Sequence, residues 1–210
     1  MKSAPIDHVL LAVPDLDGAG AMLLDEHGLA SVEGGRHTGW GTANRIVPLG
    51  GRQYLELVGV VDETEATASA FGSAVRASVE QGGGLLGWCV EVDDADAPAE
   101  RLGLAVIEGS RRRSDGVTLS WRTAGMEAAV AEQWRPFFLE WRISDDAHPG
   151  GASAPHRVEP AGIAWIEVAC DLQALREWLD DPTFEVKLGE GPPGLLSVGI
   201  ATRAGEVVLS

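Results

Sequence analysis

The chain contains an internal repeat that begins at Ile6-Asp-His-Val-Leu-Leu-Ala-Val-Pro-Asp15, an apolar strand ending in a Pro-Asp turn. Similar segments begin at Leu85-Leu-Gly-Trp-Cys-Val-Glu-Val-Asp-Asp94 and at Gly162-Ile-Ala-Trp-Ile-Glu-Val-Ala-Cys-Asp171. Each is followed by a stretch with helical periodicity and then by three runs of β-branched and apolar residues. The order strand, helix, strand, strand, strand therefore recurs three times, which indicates a repeated supersecondary unit.

Helical and turn-rich stretches separate the repeats. We expect a first βαβββ module at 5–61 and a second at 85–143, joined by a helical linker at 62–84. A loop rich in Pro, Gly and His covers 144–160, and a third, partial module covers 161–210. One such unit cannot bury both a helix face and a four-stranded sheet, so we predict an α+β fold in which two modules pair their sheets around a concave groove. The third module would lie at the edge of this pair or mediate formation of a homodimer.

The composition is that of a globular chain with a strong acidic excess. Of its 210 residues, 45% are hydrophobic, and 32 acidic residues outnumber 16 basic residues to give a formal net charge of −16. Such a surface repels phosphate backbones and anionic lipids, so we expect neither a nucleic acid partner nor a membrane partner. Cys89 and Cys170 have no metal-type spacing, and no secretory leader is visible over Met1–Val9. We therefore expect a cytoplasmic protein.

Several stretches carry a family resemblance: Ile6 to Leu16, Gly39-Trp-Gly-Thr-Ala-Asn-Arg45, Tyr54-Leu-Glu-Leu57, Pro136-Phe-Phe-Leu-Glu-Trp141 and His148-Pro149. Together they resemble the vicinal oxygen chelate superfamily, and look most like its glyoxalase-like branch. The resemblance implies paired βαβββ modules of the glyoxalase, bleomycin-resistance and dihydroxybiphenyl dioxygenase type, curled around a metal or ligand pocket. The superfamily includes lyases, isomerases, dioxygenases and antibiotic-sequestering binders, so the fold alone does not choose among these activities.

The resemblance also implies a metal site. In this superfamily a metal is held by a residue on the first strand and an acid on the last strand of each of two modules. These positions are His8 and Glu56 in the first module, and Gly87 and Glu140 in the second. Gly87 has no ligand atom, so the implied set is one imidazole and two carboxylates, which suits a divalent Zn, Mn, Fe, Co or Ni ion. Glu140 is alternatively a general base.

Residue chemistry alone leaves other interpretations open for these side chains. His8 lies on an apolar strand face, where a histidine is often a hydrogen-bonded core residue. Glu56 and Glu140 are embedded in apolar strands, and an inward carboxylate there is costly unless it is paired, hydrogen-bonded or metal-bound. The alternative is that both glutamates face outward or form ion pairs with Arg45 or Arg142.

The glycine-rich segment 34–45 supplies further candidate site residues. His37 is a candidate catalytic base, Trp40 offers a stacking surface, and Asn44 offers an amide. Arg45 is a candidate grip for an anionic or carboxylate-bearing ligand, because a guanidinium binds carboxylates through two parallel hydrogen bonds. The alternative is a glycine hairpin in which Arg45 pairs with an acidic residue.

Two other features favour ordinary structural roles. Arg111-Arg-Arg113 is expected at an exposed strand end or hairpin tip, since three bases in such an acidic chain make a poor nucleic-acid surface. His148 lies in the Pro/Gly-rich stretch, where a surface loop is expected, although the loop is long enough to cover a site.

These observations favour a glyoxalase-like small-molecule enzyme of the lyase, isomerase or hydrolytic class, dependent on a divalent metal and acting on a substrate with vicinal oxygens. The dioxygenase branch is disfavoured, because the second histidine it needs falls on Gly87. The alternative is a metal-free protein of the same fold that binds a small molecule or sequesters an antibiotic. A third option is an interaction module whose pocket has filled in.

Overall fold

The predicted order of strand, helix and three strands is present in each of the three modules. The computed structural model describes residues 5–113 and 115–210. The first module contains β1 (Ile6–Ala12), α1 (Leu16–His27), β2 (Val32–His37), β3 (Thr42–Pro48) and β4 (Tyr54–Val60). The linker contains α2 (Glu63–Ala68) and α3 (Ala70–Glu80). The second module contains β5 (Gly84–Glu91), α4 (Asp96–Leu102), β6 (Val106–Arg112), β7 (Thr118–Ala124), α5 (Met126–Ala131) and β8 (Phe137–Trp141). The third contains β9 (Pro160–Ala169), α6 (Leu172–Leu179), β10 (Lys187–Leu188), β11 (Gly194–Thr202) and β12 (Gly205–Leu209).

An aspartate at the end of the first strand starts the helix of each module. The Asp15 carboxylate accepts a hydrogen bond from the backbone N–H of Asp17, and Asp94 does the same for Asp96. Asp171 accepts from two backbone N–H groups at the start of α6. A short acidic side chain satisfies the otherwise unpaired N–H groups of a first helical turn. Asp15 and Asp171 are the N-cap residues of their helices, whereas Asp94 lies one residue before the N-cap Ala95 of α4. The repeated Asp therefore supports a strand-to-helix transition in each module.

The sheets of the first two modules close into one barrel. The strand order is β1-β4-β3-β2-β6-β7-β8-β5, so the predicted groove is a closed barrel interior. The modules meet at two seams. Strands β1 and β5 pair over most of their length. Strands β2 and β6 share the two pairs Arg36↔Arg112 and His37↔Arg111, and the backbone N–H of Thr38 after β2 donates to the carbonyl of Ser110 in β6.

The third module forms a separate four-stranded sheet of order β10-β9-β11-β12, which lies against the outside of the barrel. The ring of Trp178 on α6 stacks on Phe138 of β8, and its Nε1 donates a hydrogen bond to the carbonyl of Pro136 (2.8 Å). Trp88 of β5 stacks on Phe184 in the same way. The outward face of the second module is thus covered by an apolar layer, and the cavity described below lies on the other face.

A bulge in β1 brings two neighbouring side chains together. Ile6 pairs with Val90 and His8 pairs with Cys89, so Asp7 is an extra residue in the ladder. Neighbouring residues of a regular strand point to opposite faces, and a bulge changes that direction locally. Asp7 and His8 are both buried, and their side chains are hydrogen-bonded to each other.

Within 5–113 and 115–210, no helix is both long and apolar enough to cross a membrane.

We expect the packing of the third module against the barrel to contribute strongly to the free energy of unfolding. Trp178→Ala removes a stacked, buried indole, and we expect it to lower the free energy of unfolding by about 3–5 kcal/mol in urea denaturation. Met22 is 53% exposed, so Met22→Ala serves as a control with an expected change within about 0.5 kcal/mol. A Trp178→Ala loss no larger than that of the control would contradict this assignment of the interface.

Candidate functional site

An aromatic cavity extends into the interior of the barrel. Its space, including the part open to solvent, is about 400 Å³. Much of the wall is formed by the rings of Trp40, Tyr54, Phe71, Trp121, Phe137 and Trp141. Apolar walls with a few converging polar groups are typical of small-molecule sites.

The polar groups of the cavity converge on the carboxylate of Glu56. His8 Nε2 lies 3.4 Å from Oε2, and His37 Nε2 lies 3.4 Å from Oε1. Asn44 Nδ2 donates a hydrogen bond to Oε1 at 2.9 Å and lies 3.2 Å from His37 Nε2. All four side chains are buried. They come from β1, β2, β3 and β4, so the whole first module contributes to the cluster.

Each imidazole of this cluster has polar partners on both ring nitrogens. His37 Nδ1 lies 2.8 Å from Thr42 Oγ1, so a proton on Nε2 lets His37 donate to Glu56. His8 Nδ1 faces Asp7 (2.6 Å) while its Nε2 faces Glu56. A neutral imidazole has one N–H, so a neutral His8 donates to only one of these two carboxylates.

Asp7 organises the buried end of the site. Its Oδ1 faces His8 Nδ1, and its Oδ2 accepts hydrogen bonds from Trp141 Nε1 and His148 Nε2, both at 3.0 Å. The backbone N–H of Gly150 donates to His148 Nδ1, so the proton of this imidazole lies on Nε2. Loop 144–160 thus reaches the barrel interior through His148, which the surface-loop expectation missed.

The carboxylates of Asp7 and Glu56 are both ionised. Burial alone would raise the pKa of Asp7, but hydrogen bonds from His148 and His8 outweigh burial and lower it from 3.8 to about 2. Burial would also raise the pKa of Glu56. The hydrogen bond with His37 and the nearby positive charge, including that of Arg111, lower it from 4.5 to about 2. Glu56 therefore places one negative charge in the cavity wall, and Asp7 places a second behind His8.

Arg111 is a cavity residue that the sequence analysis placed at an exposed hairpin tip. It is only 4% exposed, and its Nη1 donates to Asn44 Oδ1 at 2.9 Å. Burial lowers the pKa of its guanidinium, which nevertheless stays charged. The reason for the difference is that β6 continues through Arg112, and pairing with His37 turns Arg111 into the barrel.

Glu140 does not reach the cavity. Phe137, Leu139 and Trp141 face inward, so alternation points Glu140 outward. Its carboxylate lies 3.1 Å from Arg122 Nη1 and 2.6 Å from Arg142 Nη2, and it accepts the backbone N–H of Ala95. The match between Tyr54-Leu-Glu-Leu57 and Phe138-Leu-Glu-Trp141 is out of phase with the sheet by one residue, which exchanges the two faces. The structure thus corrects the expected position of Glu140, both as metal ligand and as base.

Arg45 also lies outside the cavity. His37, Trp40 and Asn44 line the cavity as expected, but alternation along β3 directs Arg45 outward. Its Nη1 lies 2.8 Å from Asp17 Oδ1, and its Nε donates to Ser31 Oγ. The alternative that pairs Arg45 with an acid is the arrangement in the structure.

Two groups of ligand-type atoms lie within 4.8 Å of one another among residues 5–113 and 115–210, namely Asp7, His8 and Cys89, and Asp7, Glu91 and His148. The trio of His8, His37 and Glu56 is not one of them. Asp7 belongs to both, and its oxygens already accept three hydrogen bonds. Burial raises the pKa of the Cys89 thiol well above its ordinary value, so the sulfur is protonated. These contacts suit a hydrogen-bonded frame behind His8 better than an ion site.

Comparison with known proteins agrees with this architecture. A family model described as "Glyoxalase-like domain" matches residues 6–183. A solved structure of a hypothetical protein from Staphylococcus aureus is similar, with a TM-score of 0.66 and 17% identity over 97% of this chain and 83% of that chain. Methylmalonyl-CoA epimerase from Mycobacterium tuberculosis has a TM-score of 0.46 and 20% identity, with 67% and 89% of the two chains covered. No curated protein matches the chain. The staphylococcal structure shows a shared fold.

The buried carboxylates predict a specific sensitivity to acid. The folded-state pKa values of Asp7 and Glu56 are about 2, below the ordinary values of 3.8 and 4.5. Their ionised forms therefore stabilise the folded state above those ordinary values, and this stabilisation is lost as the pH falls toward about 2. We expect the free energy of unfolding from urea titrations to decrease across this window, and Asp7→Asn to flatten the decrease.

The matched control is Glu33→Gln, because Glu33 is an exposed carboxylate. This variant should keep the wild-type dependence on pH. An Asp7→Asn protein whose stability declines with acid as steeply as that of the wild type would contradict the assignment.

Proposed function

The chain belongs to the glyoxalase-like domain family, and on that premise we propose that it is a small-molecule enzyme of the lyase or isomerase class that uses a divalent metal ion. One observation carries the proposal. The Nε2 atoms of His8 and His37 both lie 3.4 Å from the buried carboxylate of Glu56, inside an aromatic cavity.

The donor types suit a divalent ion, but the side chains would have to move for all three to reach it. His8 and His37 face different oxygens of Glu56, and within 5–113 and 115–210 this trio is not among the groups whose ligand atoms all lie within 4.8 Å of one another. Two imidazole nitrogens and one carboxylate are a common ligand set for Zn, Mn, Fe, Co and Ni, and three protein ligands leave positions open for substrate. Asp7 supports the fit, because a carboxylate on the far nitrogen of a ligating histidine sets the tautomer and orients the ring. His8 and Glu56 are the ligands expected from the family resemblance. His37, expected as a base, takes the third ligand position in this proposal.

The chain's own residues then prepare the site for chemistry. An ion held by His8, His37 and Glu56 would polarise two adjacent oxygens of a substrate and ease loss of a proton from the neighbouring carbon. A carboxylate with a pKa of about 2 is a weak proton acceptor, so Glu56 suits the role of ligand better than that of base. The rings of Trp40, Trp121 and Trp141 line the cavity with apolar surface, which strengthens electrostatic interactions beside them relative to bulk water.

A second candidate function has support of its own. Asn44 donates to Glu56, and Arg111 lies next to Asn44, so part of the charge of Glu56 is compensated without any ion. In the second module Gly87 and Phe137 supply no ligand atoms near the cavity. A metal-free protein that binds a small molecule in the aromatic cavity is the function that these contacts favour. Metal content separates the two candidates.

The metal-dependent function predicts that wild-type protein purified without chelators carries a stoichiometric divalent metal in elemental analysis. His8→Ala and Glu56→Gln should abolish this, because each removes one of three ligands. Glu140→Gln is the matched control, since Glu140 is an equally buried glutamate that lies outside the cavity, and it should retain the metal. Wild-type protein that neither carries nor takes up a divalent ion would exclude this function and leave the metal-free binder.

Asp7 provides a graded test of the same site. Asp7→Asn keeps the shape of the side chain but withdraws the charge behind His8, so we expect metal affinity to fall by roughly 10–100-fold, as for other partners of a ligating histidine. Titration calorimetry with Zn²⁺ and Co²⁺ measures the effect. An unchanged affinity would show that Asp7 does not act on the metal through His8.

A further inference from the structure

Arg111 is a buried cation without an acidic partner in the barrel. Among residues 5–113 and 115–210, no aspartate or glutamate forms an ion pair with it, although the chain has 32 acidic residues. The neighbouring Arg112 and Arg113 are exposed or half-buried, and Arg113 pairs with Asp115. A buried charge is costly unless it is paired. Arg111 lines the cavity, so a ligand is the partner within reach.

Asn44 holds Arg111 apart from Glu56. Its carbonyl oxygen accepts from Arg111 Nη1 while its amide nitrogen donates to Glu56 Oε1, both at 2.9 Å. The Asn44 amide thus separates the Arg111 guanidinium from the Glu56 carboxylate. Its carbonyl oxygen uses one of the five N–H groups of the guanidinium. The remaining fork geometry matches a carboxylate, which a guanidinium binds through two parallel hydrogen bonds.

Gly34 makes room for this arrangement. A Cβ atom at position 34 would lie 2.0 Å from Asn44 Oδ1 and 2.6 Å from Arg111 Nη1. Gly34 does not have a positive φ angle, so the requirement for glycine here is steric rather than conformational. The absence of a side chain at position 34 of β2 therefore leaves the space that the Arg111 and Asn44 side chains occupy.

The number of cations in the cavity wall indicates how many carboxylates the ligand has. Within 5–113 and 115–210, Arg111 is the only arginine or lysine that lines the cavity. One guanidinium fork matches one carboxylate, so the subsite suits a ligand with a single carboxylate.

We propose that Arg111 and Asn44 form a carboxylate-binding subsite, and that the substrate is a short 2-hydroxy or 2-oxo monocarboxylic acid. This inference rests on the proposed function, because the metal ion proposed there would bind the second oxygen of the substrate. In a 2-hydroxy or 2-oxo acid that oxygen lies next to the carboxylate. It also transfers the anion-binding role from Arg45, which faces outward, to Arg111. The small aromatic cavity favours a short carbon chain.

The test uses the wild-type protein with its metal content measured in parallel. Calorimetric titrations compare glycolate, lactate and pyruvate with the neutral glycolamide and lactamide. We expect the acids to bind and the amides to bind at least about tenfold more weakly, because a hydrogen bond between charged groups is stronger than one to a neutral group. Arg111→Met should weaken the acids by at least about tenfold without changing the affinity for the amides.

Arg112→Met is the matched control, because the neighbouring arginine is exposed and faces away from the cavity. It should leave all affinities unchanged. Gly34→Ala is a second variant that keeps Arg111 but displaces it from Asn44, and it should also weaken the acids. Equal binding of acids and amides, or equal effects of Arg111→Met and Arg112→Met, would overturn the proposal.

The outcomes also separate this inference from the proposed function. Protein that carries a metal but binds the acids independently of Arg111 retains the function and overturns the subsite. Protein without a metal that still binds the acids through Arg111 overturns the enzyme function and supports the subsite. Protein that has no metal and binds none of the acids overturns both.

Discussion

The interior of this barrel depends on the burial of two ionised carboxylates. Asp7 and Glu56 lose nearly all contact with water, and each must recover the lost hydration from the protein. Asp7 does so through three hydrogen-bond donors, one of them on the loop that follows the second module. Glu56 does so through an amide and two imidazoles. Most polar side chains of the cavity are explained by these two requirements.

The repeated architecture could be predicted from sequence because it follows from local patterns. Strand and helix periodicity, together with an Asp at each strand end, recur three times and need no information on distant contacts. The closure of two sheets into a barrel, and the position of the third sheet outside it, depend on tertiary packing. The stacking of Trp178 on Phe138 joins residues forty positions apart, and no local pattern encodes such a contact.

The sequence located cavity residues correctly where the inward face of a strand was assigned correctly. His8, His37, Trp40, Asn44 and Glu56 all line the cavity, as the resemblance and the glycine-rich segment indicated. Glu140 was expected from the acid that the resemblance places on the last strand of the second module, and Arg45 from the chemistry of its guanidinium. Both lie on the outward face, because a shift of one position turns a strand residue to the other face.

Asp7, Arg111 and His148 were missed for other reasons. The bulge that turns Asp7 toward His8 has no signal in a single strand, because it is defined by the pairing with β5. Arg111 is directed inward by its partner strand, and His148 reaches Asp7 from 141 residues away. A buried arginine in an acidic chain is a useful signal, but it is recognisable only after the strand has been placed.

The seam between β2 and β6 has two residue pairs, far fewer than the seam between β1 and β5, so the barrel is closed less strongly on this side. The polar residues His37 and Arg111 form one of those two pairs, so the cavity's cationic side and its narrowest line of backbone hydrogen bonds coincide. A molecule that binds both side chains would link the first module to the second across this seam. Binding of such a molecule would then oppose the separation of β2 from β6, since a ligand that binds only the closed barrel stabilises it by mass action.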